Sequence, residues 1–181
     1  MIKKQYSVLA VDLDHTLINT DFIFEGVKFL ISKKIYALPK LFFILIFNGK
    51  TYAKKYLYDN TEIDISSLPF NIGVINFINQ NKINYEHVVL ISGSYYRYVE
   101  SVAEHLGLFD SYAGTTASVN MISFNKIKYL NETFKNFSFD YIGDSKKDVP
   151  IWERADNAFV VDNGNIINHI KHIDYKLISK E

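Results

Sequence analysis

The sequence predicts an α/β fold in which a parallel sheet is flanked by helices. Four short apolar runs rich in β-branched or aromatic residues recur along the chain, at residues 7–13, 87–91, 139–142 and 158–161. Helical patterns lie between them, and this alternation is typical of parallel sheets. The runs are almost continuously hydrophobic, which indicates strands buried on both faces. The 181 residues suffice for one compact core with a small insertion.

The helices between these strands have recognisable start signals. Ser94 is expected to cap a helix over residues 95–106. Asn125 is expected to cap a second helix over residues 126–134, and Pro150 lies near the start of a third. Strands followed by helices in this order predict a Rossmann-like sheet.

A helical insertion is predicted between the first two strands. Helical patterns cover residues 22–38, 39–48, 51–59 and 71–80. Thr20 or Asp21 is expected to cap the first helix, and Pro39 separates it from the second. No convincing strand occurs here. The predicted division is a core of residues 1–18 and 82–181 and an insertion of residues 19–81.

Residues 38–47 (LPKLFFILIF) form an almost wholly apolar stretch inside this insertion. The stretch is far shorter than the roughly 20 residues that span a bilayer. We expect these side chains to pack the insertion against itself and against the core. The alternative is a surface that faces a membrane or a partner protein.

Composition argues against several functional classes. The 20 basic and 20 acidic residues balance, which argues against a nucleic-acid-binding protein with a broad basic surface. There is no cysteine, so disulfides and thiolate metal sites are excluded. The first strand begins within a few residues of Met1, which leaves no room for a signal peptide. A cytoplasmic protein is expected.

Acidic side chains follow two of the predicted strands. Asp12 and Asp14 end the first strand, while Asp144 and Asp148 come directly after the strand at residues 139–142. The carboxyl ends of parallel strands are where ligands bind in such sheets. A lone Asp would more often cap a turn, but several converging carboxylates repel unless a cation lies among them. Hard oxygen ligands without cysteine favour Mg²⁺.

An anion site is predicted at the same edge of the sheet. Ser92 and Gly93 end the second strand just before a helix, where a hydroxyl and backbone N–H groups can hold a phosphate. Lys126 begins the next helix and can reach the same point, with Lys128 as the competing candidate. The predicted substrate is therefore a small phosphorylated molecule.

The order of these segments resembles the haloacid dehalogenase (HAD) superfamily of phosphohydrolases. DLDHTL, LISGS, a lysine at a helix start and GDSKKD match its four motifs in sequence. The resemblance implies a small helical cap of the C1 type inserted after the first strand. It also implies a Mg²⁺-dependent phosphatase that forms an aspartyl-phosphate intermediate.

The resemblance also implies roles for individual residues. Asp12 is expected to be the nucleophile and Asp14 the general acid and base. Mg²⁺ would be held by the carboxylates of Asp12 and Asp144 and by the backbone carbonyl of Asp14. The phosphoryl group would be bound by Ser92, Gly93 and Lys126.

Three further residues are expected to hold the catalytic and metal-binding side chains in position. Thr16 would orient Asp14, according to the same resemblance. Asp148 would bind the metal through water or orient Asp144 and Lys126. Ser145 belongs to the same supporting group.

Three longer segments are similar to HAD domains associated with UbiA-type membrane prenyltransferases. They are DLDHTLINTD, EHLGLFD and FDYIGDSKKDVPIWERAD, the last of which also resembles phosphoserine-phosphatase-like members. This similarity implies association with a membrane prenyltransferase, peripheral contact with a membrane, and a prenyl-linked phosphate as an alternative to a small organic phosphate.

Two other functions are compatible with parts of the sequence. A non-catalytic accessory domain could dock on a membrane enzyme through residues 38–47. A phospho-Asp receiver domain also combines an acidic pocket, Mg²⁺ and a lysine. Receiver domains pair adjacent acids on the first strand, whereas Asp12 and Asp14 are separated by Leu13.

Overall fold

The computed structural model describes residues 7–135, 137–161, 164 and 166–179. Its centre is a six-stranded sheet in the order β3-β2-β1-β4-β5-β6, and all neighbouring strands are parallel. The strands are β1 (Ser7–Val11), β2 (His87–Tyr95), β3 (Ser111–Thr115), β4 (Ser138–Gly143), β5 (Ala158–Val161) and β6 (Tyr175–Ile178). The predicted α/β fold with a parallel sheet is confirmed.

Helices precede, connect and flank these strands. They are α1 (Phe22–Lys33), α2 (Leu38–Phe47), α3 (Lys50–Asn60), α4 (Ile72–Asn81), α5 (Tyr96–Leu106), α6 (Phe124–Thr133) and α7 (Val149–Trp152). Short 3₁₀ turns occur at Ile35–Ala37, Ile65–Ser67, Lys82–Asn84 and Ile167–His169. The first helix ends at Lys33 instead of residue 38, because Lys34 leaves the helical conformation and a 3₁₀ turn follows.

Two strands were not predicted from the sequence. Both β3 and β6 lie at edges of the sheet, and each contains exposed positions. Neither strand therefore has the continuous apolar run by which a central strand is recognised in the sequence. β2 also extends four residues beyond its apolar run, through Ser92 and Ser94 to Tyr95.

The sheet is covered on both faces. Leu9 and Val11 of β1 pack in one hydrophobic cluster with residues from α4 and α5. Val8 and Ala10, which point the other way, pack with residues from α6 and α7. Side chains alternate along a strand, so a continuous apolar run supplies both layers. This explains the unbroken hydrophobicity of residues 8–11.

One expected helix cap is present, at Asp21, and a second cap, at Asn71, was not predicted from the sequence. Asp21 accepts a hydrogen bond from the N–H of Phe24 at the start of α1, and Asn71 accepts one from Val74 at the start of α4. Ser94 and Asn125 are not caps, contrary to the prediction. Ser94 lies inside β2 before the helix begins, and Asn125 lies inside α6, which starts at Phe124.

The insertion contains helices with different packing partners. Leu30, Ala37 and Leu57 form a small cluster that links α1, α3 and the intervening turn. Val74 and Ile78 of α4, by contrast, belong to a cluster beneath the central sheet. The proposed division at residues 18 and 82 remains a prediction, and the packing places α4 with the core.

Helix α2 corresponds to the apolar stretch at residues 38–47. None of its ten residues is buried, although it was expected to pack inside the insertion. Leu41 and Leu45 line a chamber between α2 and the rest of the insertion, whereas Phe42, Phe43 and Phe47 are exposed. Among the residues that the structure describes, no helix has the length and apolar character needed to cross a bilayer.

Candidate active site

Three carboxylates meet at the carboxyl edge of the sheet. Asp12, Asp144 and Asp148 are buried, and each offers an oxygen atom within 4.8 Å of the oxygens offered by the other two. Asp12 follows β1, and its N–H donates to the carbonyl of Ile142 in β4. The pairing of β1 with β4 therefore brings together acids more than 130 positions apart in the sequence.

Gly143 lets β4 end close to these acids. A Cβ atom at this position would lie 2.9 Å from Cγ of Asp148 and 2.7 Å from the Tyr141 ring. Real Cβ atoms do not approach other atoms so closely, so a larger residue would push Asp148 away. Glycine is therefore required at position 143 because it leaves space for the Asp148 side chain.

Lys126 is the cation at the centre of this cluster. Its ammonium donates to Asp12 Oδ1 at 2.6 Å and to the hydroxyl of Tyr141 at 2.7 Å. Tyr141 in turn donates to Asp148 Oδ1 at 2.7 Å. Lys128 instead approaches Glu132 at the surface, so the structure distinguishes the two candidate lysines.

One lysine does not balance the buried negative charge. Burial raises the pKa of Asp12, although Lys126 opposes this effect. Burial alone would lower the pKa of Lys126, but Asp12 and Asp148 outweigh it and the pKa is raised. The pair therefore holds a proton more tightly than it would in water, as expected where several acids surround one ammonium.

Asp14 is held by three hydrogen-bond donors beside the acidic cluster. Its Oδ2 accepts from the hydroxyl of Ser94 at 2.7 Å and from that of Ser92 at 2.9 Å. Its Oδ1 accepts from the backbone N–H of Phe22, at the start of α1. These contacts fix the carboxylate at the boundary between the sheet and the insertion.

The two predicted phosphate-binding residues of β2 occupy different positions. Ser92 is fully buried, and its hydroxyl proton is directed to Asp14. Gly93 lines the cavity beside the acids. A Cβ at Gly93 would lie 2.8 Å from the Ile122 side chain, so only glycine fits there without movement of that neighbour.

Thr16 and Ser145 each contact one of the acids. Thr16 was expected to orient Asp14, but its hydroxyl donates to Asp144 Oδ1 at 3.3 Å. The turn after β1 brings Thr16 back to the acid that follows β4. Ser145 donates to Asp148 Oδ2 through both its hydroxyl, at 2.8 Å, and its backbone N–H, at 3.1 Å.

A cavity of about 110 Å³ lies over these side chains. Its lining consists of Asp12, Asp14, His15, Gly93, Ile122, Ser123, Lys126, Asp144, Ser145, Lys147 and Asp148. His15 and Ser123 have positive φ angles of 60° and 46°. Such backbone conformations are uncommon outside glycine and cluster at functional sites.

Lys54 connects the insertion to the site, and sequence analysis did not single it out. It lies on α3, and its ammonium donates to the carbonyl of Gly93 at 2.6 Å and to Asn120 Oδ1 at 2.7 Å. Thr115 donates to the same Gly93 carbonyl. The lysine-rich composition of α3 was the available signal, but no local pattern distinguishes Lys54 from Lys50 or Lys55.

An apolar chamber of about 400 Å³ adjoins the acidic cavity. The two share Ile122 and Lys147 in their linings. The rest of the chamber is lined mainly by aliphatic residues of the insertion, namely Ile23, Val27, Leu41, Leu45, Ala53 and Leu57. Small-molecule sites typically occupy roughly 300–1,000 Å³ and combine apolar walls with a few polar groups.

The donor set of the acidic cluster fits a hard divalent cation. Asp12, Asp144 and Asp148 present carboxylate oxygens, with no cysteine in the chain and no histidine in this group. Such oxygens suit Mg²⁺ and similar ions. A cation would also offset the charge that Lys126 leaves unbalanced.

Comparison with known proteins gives one sequence relative and several structural ones. No family model matches the chain. The uncharacterized protein y4nM of Sinorhizobium fredii is 29% identical over 159 residues, which cover 86% of this chain. The matched region covers 30% of that protein, so the chain spans less than a third of its length.

The solved structures resemble the chain in fold at low sequence identity. A protein of unknown function from Bordetella pertussis has a TM-score of 0.75 and 11% identity, with 98% of this chain and 100% of that one covered. The HAD family hydrolase t0658 from Salmonella enterica has a TM-score of 0.64 and 17% identity, covering 90% of this chain and 65% of its own.

A phosphoserine phosphatase, solved as an analogue of its phospho-aspartyl intermediate, also has a TM-score of 0.64. It is 15% identical, and the match covers 96% of this chain and 93% of that one. The chain thus has the α/β fold of HAD-superfamily hydrolases, with a buried acidic cluster at the carboxyl edge of its sheet.

Proposed function

We propose that this protein is a Mg²⁺-dependent phosphomonoester hydrolase that acts through an aspartyl-phosphate on Asp12. The observation that carries the proposal is the buried contact of Asp12 with Lys126, beside Asp144 and Asp148, in a fold shared with HAD hydrolases. Phosphoryl transfer depends mainly on positioning and charge stabilisation, and this cluster can supply both.

The residues that would hold Mg²⁺ are Asp12, Asp144 and the backbone carbonyl of Asp14, with Asp148 beside them. When bound, the ion supplies positive charge that lets a carboxylate approach a phosphate dianion. Thr16 and Ser145 then keep Asp144 and Asp148 in place through their hydrogen bonds.

The chemistry assigned to the side chains has two steps. A carboxylate oxygen of Asp12 attacks phosphorus, the ester P–O bond breaks, and the leaving alkoxide takes a proton from Asp14. In the second step Asp14 removes a proton from water, and the resulting hydroxide attacks phosphorus. The acyl phosphate bond breaks, which releases inorganic phosphate and restores Asp12.

Lys126 and Gly93 are the residues that we assign to the phosphoryl oxygens. Both line the cavity, and Lys126 lies against the proposed nucleophile. Ser92 has a different part in this proposal, because its hydroxyl is engaged with Asp14. It would position the general acid and leave phosphate contact to Gly93.

The substrate that fits the two adjoining spaces is a phosphate ester with an apolar organic group. The phosphate would occupy the acidic cavity and the organic group the aliphatic chamber, with Ile122 and Lys147 at their junction. A prenyl-linked phosphate belongs to this class. Association with a membrane prenyltransferase is proposed on the sequence resemblance alone.

Replacement of the nucleophile tests the proposal. Asp12→Asn should reduce Mg²⁺-dependent hydrolysis of p-nitrophenyl phosphate by at least about 10⁴-fold, because the amide cannot form the intermediate. Asp156→Asn changes an exposed acid and serves as the matched control, with activity retained. Substantial activity in the Asp12→Asn protein would show that Asp12 is not the nucleophile.

The Asp14→Asn protein tests the second role separately. It should be phosphorylated slowly and then retain the phosphate, because no base activates water. Phosphoenzyme can be followed by intact mass measurement and by its lability at alkaline pH. Rapid steady-state turnover by this variant would contradict the acid–base assignment.

A further inference from the structure

Helix α2 carries an outer face that nothing in the described chain covers. Phe42, Phe43, Ile46 and Phe47 are each more than half exposed, and the ring centroids of Phe43 and Phe47 lie 4.3 Å apart. These positions recur at helical spacing on the side opposite Leu41 and Leu45. A helix that is apolar on all sides normally lies within a protein core or a membrane.

The apolar surface continues beyond α2. Ile35 and Tyr36, in the turn that precedes it, are 65% and 77% exposed, and Ile31 at the end of α1 is 57% exposed. Isolated exposed apolar residues are ordinary, but these residues lie on elements that contact one another, and a larger group of exposed apolar residues marks an interaction site. We name the surface formed by these three residues and the four outer residues of α2 the apolar patch.

The segment that carries the apolar patch is rich in lysine. Residues 26–58 contain no aspartate or glutamate. They contain seven lysines, namely Lys28, Lys33, Lys34, Lys40, Lys50, Lys54 and Lys55. Since the chain has 20 basic and 20 acidic residues, the remainder carries thirteen basic residues against twenty acidic ones. Lys28 and Lys55 are paired with Glu25 and Asp59, and Lys54 reaches into the site. The net positive charge of this segment therefore comes from Lys33, Lys34, Lys40 and Lys50.

We propose that the apolar patch and its surrounding lysines dock this protein on an anionic lipid membrane. Phenylalanines on a short helix can enter the boundary between headgroups and acyl chains, while lysines contact anionic headgroups. α2 has ten residues and rises about 15 Å, half of the hydrocarbon thickness. It therefore lies along the membrane surface.

Charge decides between the membrane and the other occupants of such a patch. A second copy of the chain would bring two lysine-rich segments together, and like charges facing each other oppose association. An anionic bilayer instead complements both the apolar side chains and the lysines. Leu41 and Leu45, on the opposite side of α2, would then continue to line the chamber.

Vesicle flotation with the full chain tests this proposal. We expect the protein to float with vesicles of phosphatidylcholine and phosphatidylglycerol, and to remain unbound with phosphatidylcholine alone. High salt should weaken binding because it screens the lysines. Absence of flotation with the anionic vesicles, or equal flotation with both kinds, would overturn the proposal.

Matched substitutions identify the surface. The double variant Phe43→Ser with Phe47→Ser should reduce vesicle partitioning by at least about tenfold. The control is Ile83→Ser with Leu177→Ser, which changes two exposed apolar residues outside the insertion and should leave partitioning unchanged. Equal loss in both proteins would overturn the assignment to α2.

The lysines are tested in the same way. Lys33→Gln with Lys40→Gln should weaken partitioning by about fivefold for each charge removed. Lys128→Gln with Lys135→Gln removes two exposed lysines elsewhere and should have little effect. A dimer in solution that is lost with the phenylalanine substitutions would instead assign the patch to a second copy. Hydrolysis of a soluble phosphate ester serves as a folding check, because these variants leave the acidic cavity unchanged.

Discussion

At the residue scale, the acidic cavity depends on polar side chains that each join two parts of the site. Tyr141 accepts a hydrogen bond from Lys126 and donates one to Asp148. Burial raises the pKa of its hydroxyl well above the ordinary value, so the group remains protonated and able to donate. A single phenol thus orients both a cation and an acid without adding charge.

Lys54 provides the first residue-scale prediction. Burial lowers the pKa of its ammonium to about 8, although Asp14 opposes this effect. Lys54 is therefore charged at lower pH and loses its proton as the pH rises through that value. Since the charge attracts an anionic substrate, we expect KM for a phosphomonoester to rise across the same pH range.

The measurement is steady-state kinetics as a function of pH. Lys54→Gln should raise KM at neutral pH and flatten its dependence on pH near 8. Lys128→Gln, an exposed lysine on α6, should retain the wild-type profile. If Lys54→Gln leaves the profile unchanged, another group titrates there.

At the element scale, α4 is tied to the turn that carries the proposed catalytic acids. Asn71 is fully buried and donates from Nδ2 to the carbonyl of Thr16 at 2.9 Å, while its backbone N–H donates to the carbonyl of Leu17. Its Oδ1 caps α4 by accepting from Val74. One side chain therefore holds both the helix and the turn after β1.

Replacement of this residue tests that role. Asn71→Ala should lower the free energy of unfolding by about 2–3 kcal/mol, because it removes a helix cap and leaves a buried carbonyl without its donor. Asn81→Ala removes a part-buried bond at the other end of α4 and should cost about 1 kcal/mol. Urea unfolding compares the two, and equal losses would contradict the assignment.

The insertion provides a second element-scale prediction, about substrate choice. Leu45→Asn places an amide in the wall of the apolar chamber at a position that is 45% exposed, so the fold should tolerate it. KM for a phosphate ester of an aliphatic alcohol should rise by roughly tenfold, while KM for phosphoserine should not change. Leu177→Asn on β6 is the control. A uniform change for both substrates would exclude the chamber as the organic-group site.

At the scale of the whole molecule, the fold gathers several acids around one lysine, and a bound divalent cation would offset their repulsion. Binding to the folded state alone stabilises it by about 2.7 kcal/mol when the ion is present at one hundred times its Kd. For a domain of this size, that corresponds to roughly 5–10 °C in Tm. We expect Mg²⁺ to raise Tm by this amount and EDTA to reverse the change.

The pH dependence of this stabilisation has a definite sign. The raised pKa of Asp12 means that the metal-free folded state holds an additional proton, which Mg²⁺ must displace. The increase in Tm should therefore become smaller as the pH falls. Asp144→Asn should abolish the Mg²⁺-dependent shift, whereas Asp156→Asn should preserve it, as thermal denaturation can show. A full shift in the Asp144→Asn protein would place the ion elsewhere.

The sequence by itself determined the central strands, the parallel sheet and the position of Asp12, Asp14, Asp144 and Asp148 at its edge. These features depend on local periodicity and on the rule that parallel strands end at one edge. Residue types also limited the first helix cap to Thr20 or Asp21, since a capping side chain bonds within three positions along the chain, and the structure shows that Asp21 is the cap.

Only the tertiary structure decided which groups the polar side chains contact. Thr16 meets Asp144, Ser94 meets Asp14, and Lys54 reaches Gly93 from the insertion. It also revealed the edge strands and the exposed outer face of α2. The physical reason is that these properties depend on which distant segments contact each other in the fold. A local pattern of hydrophobicity does not specify those contacts.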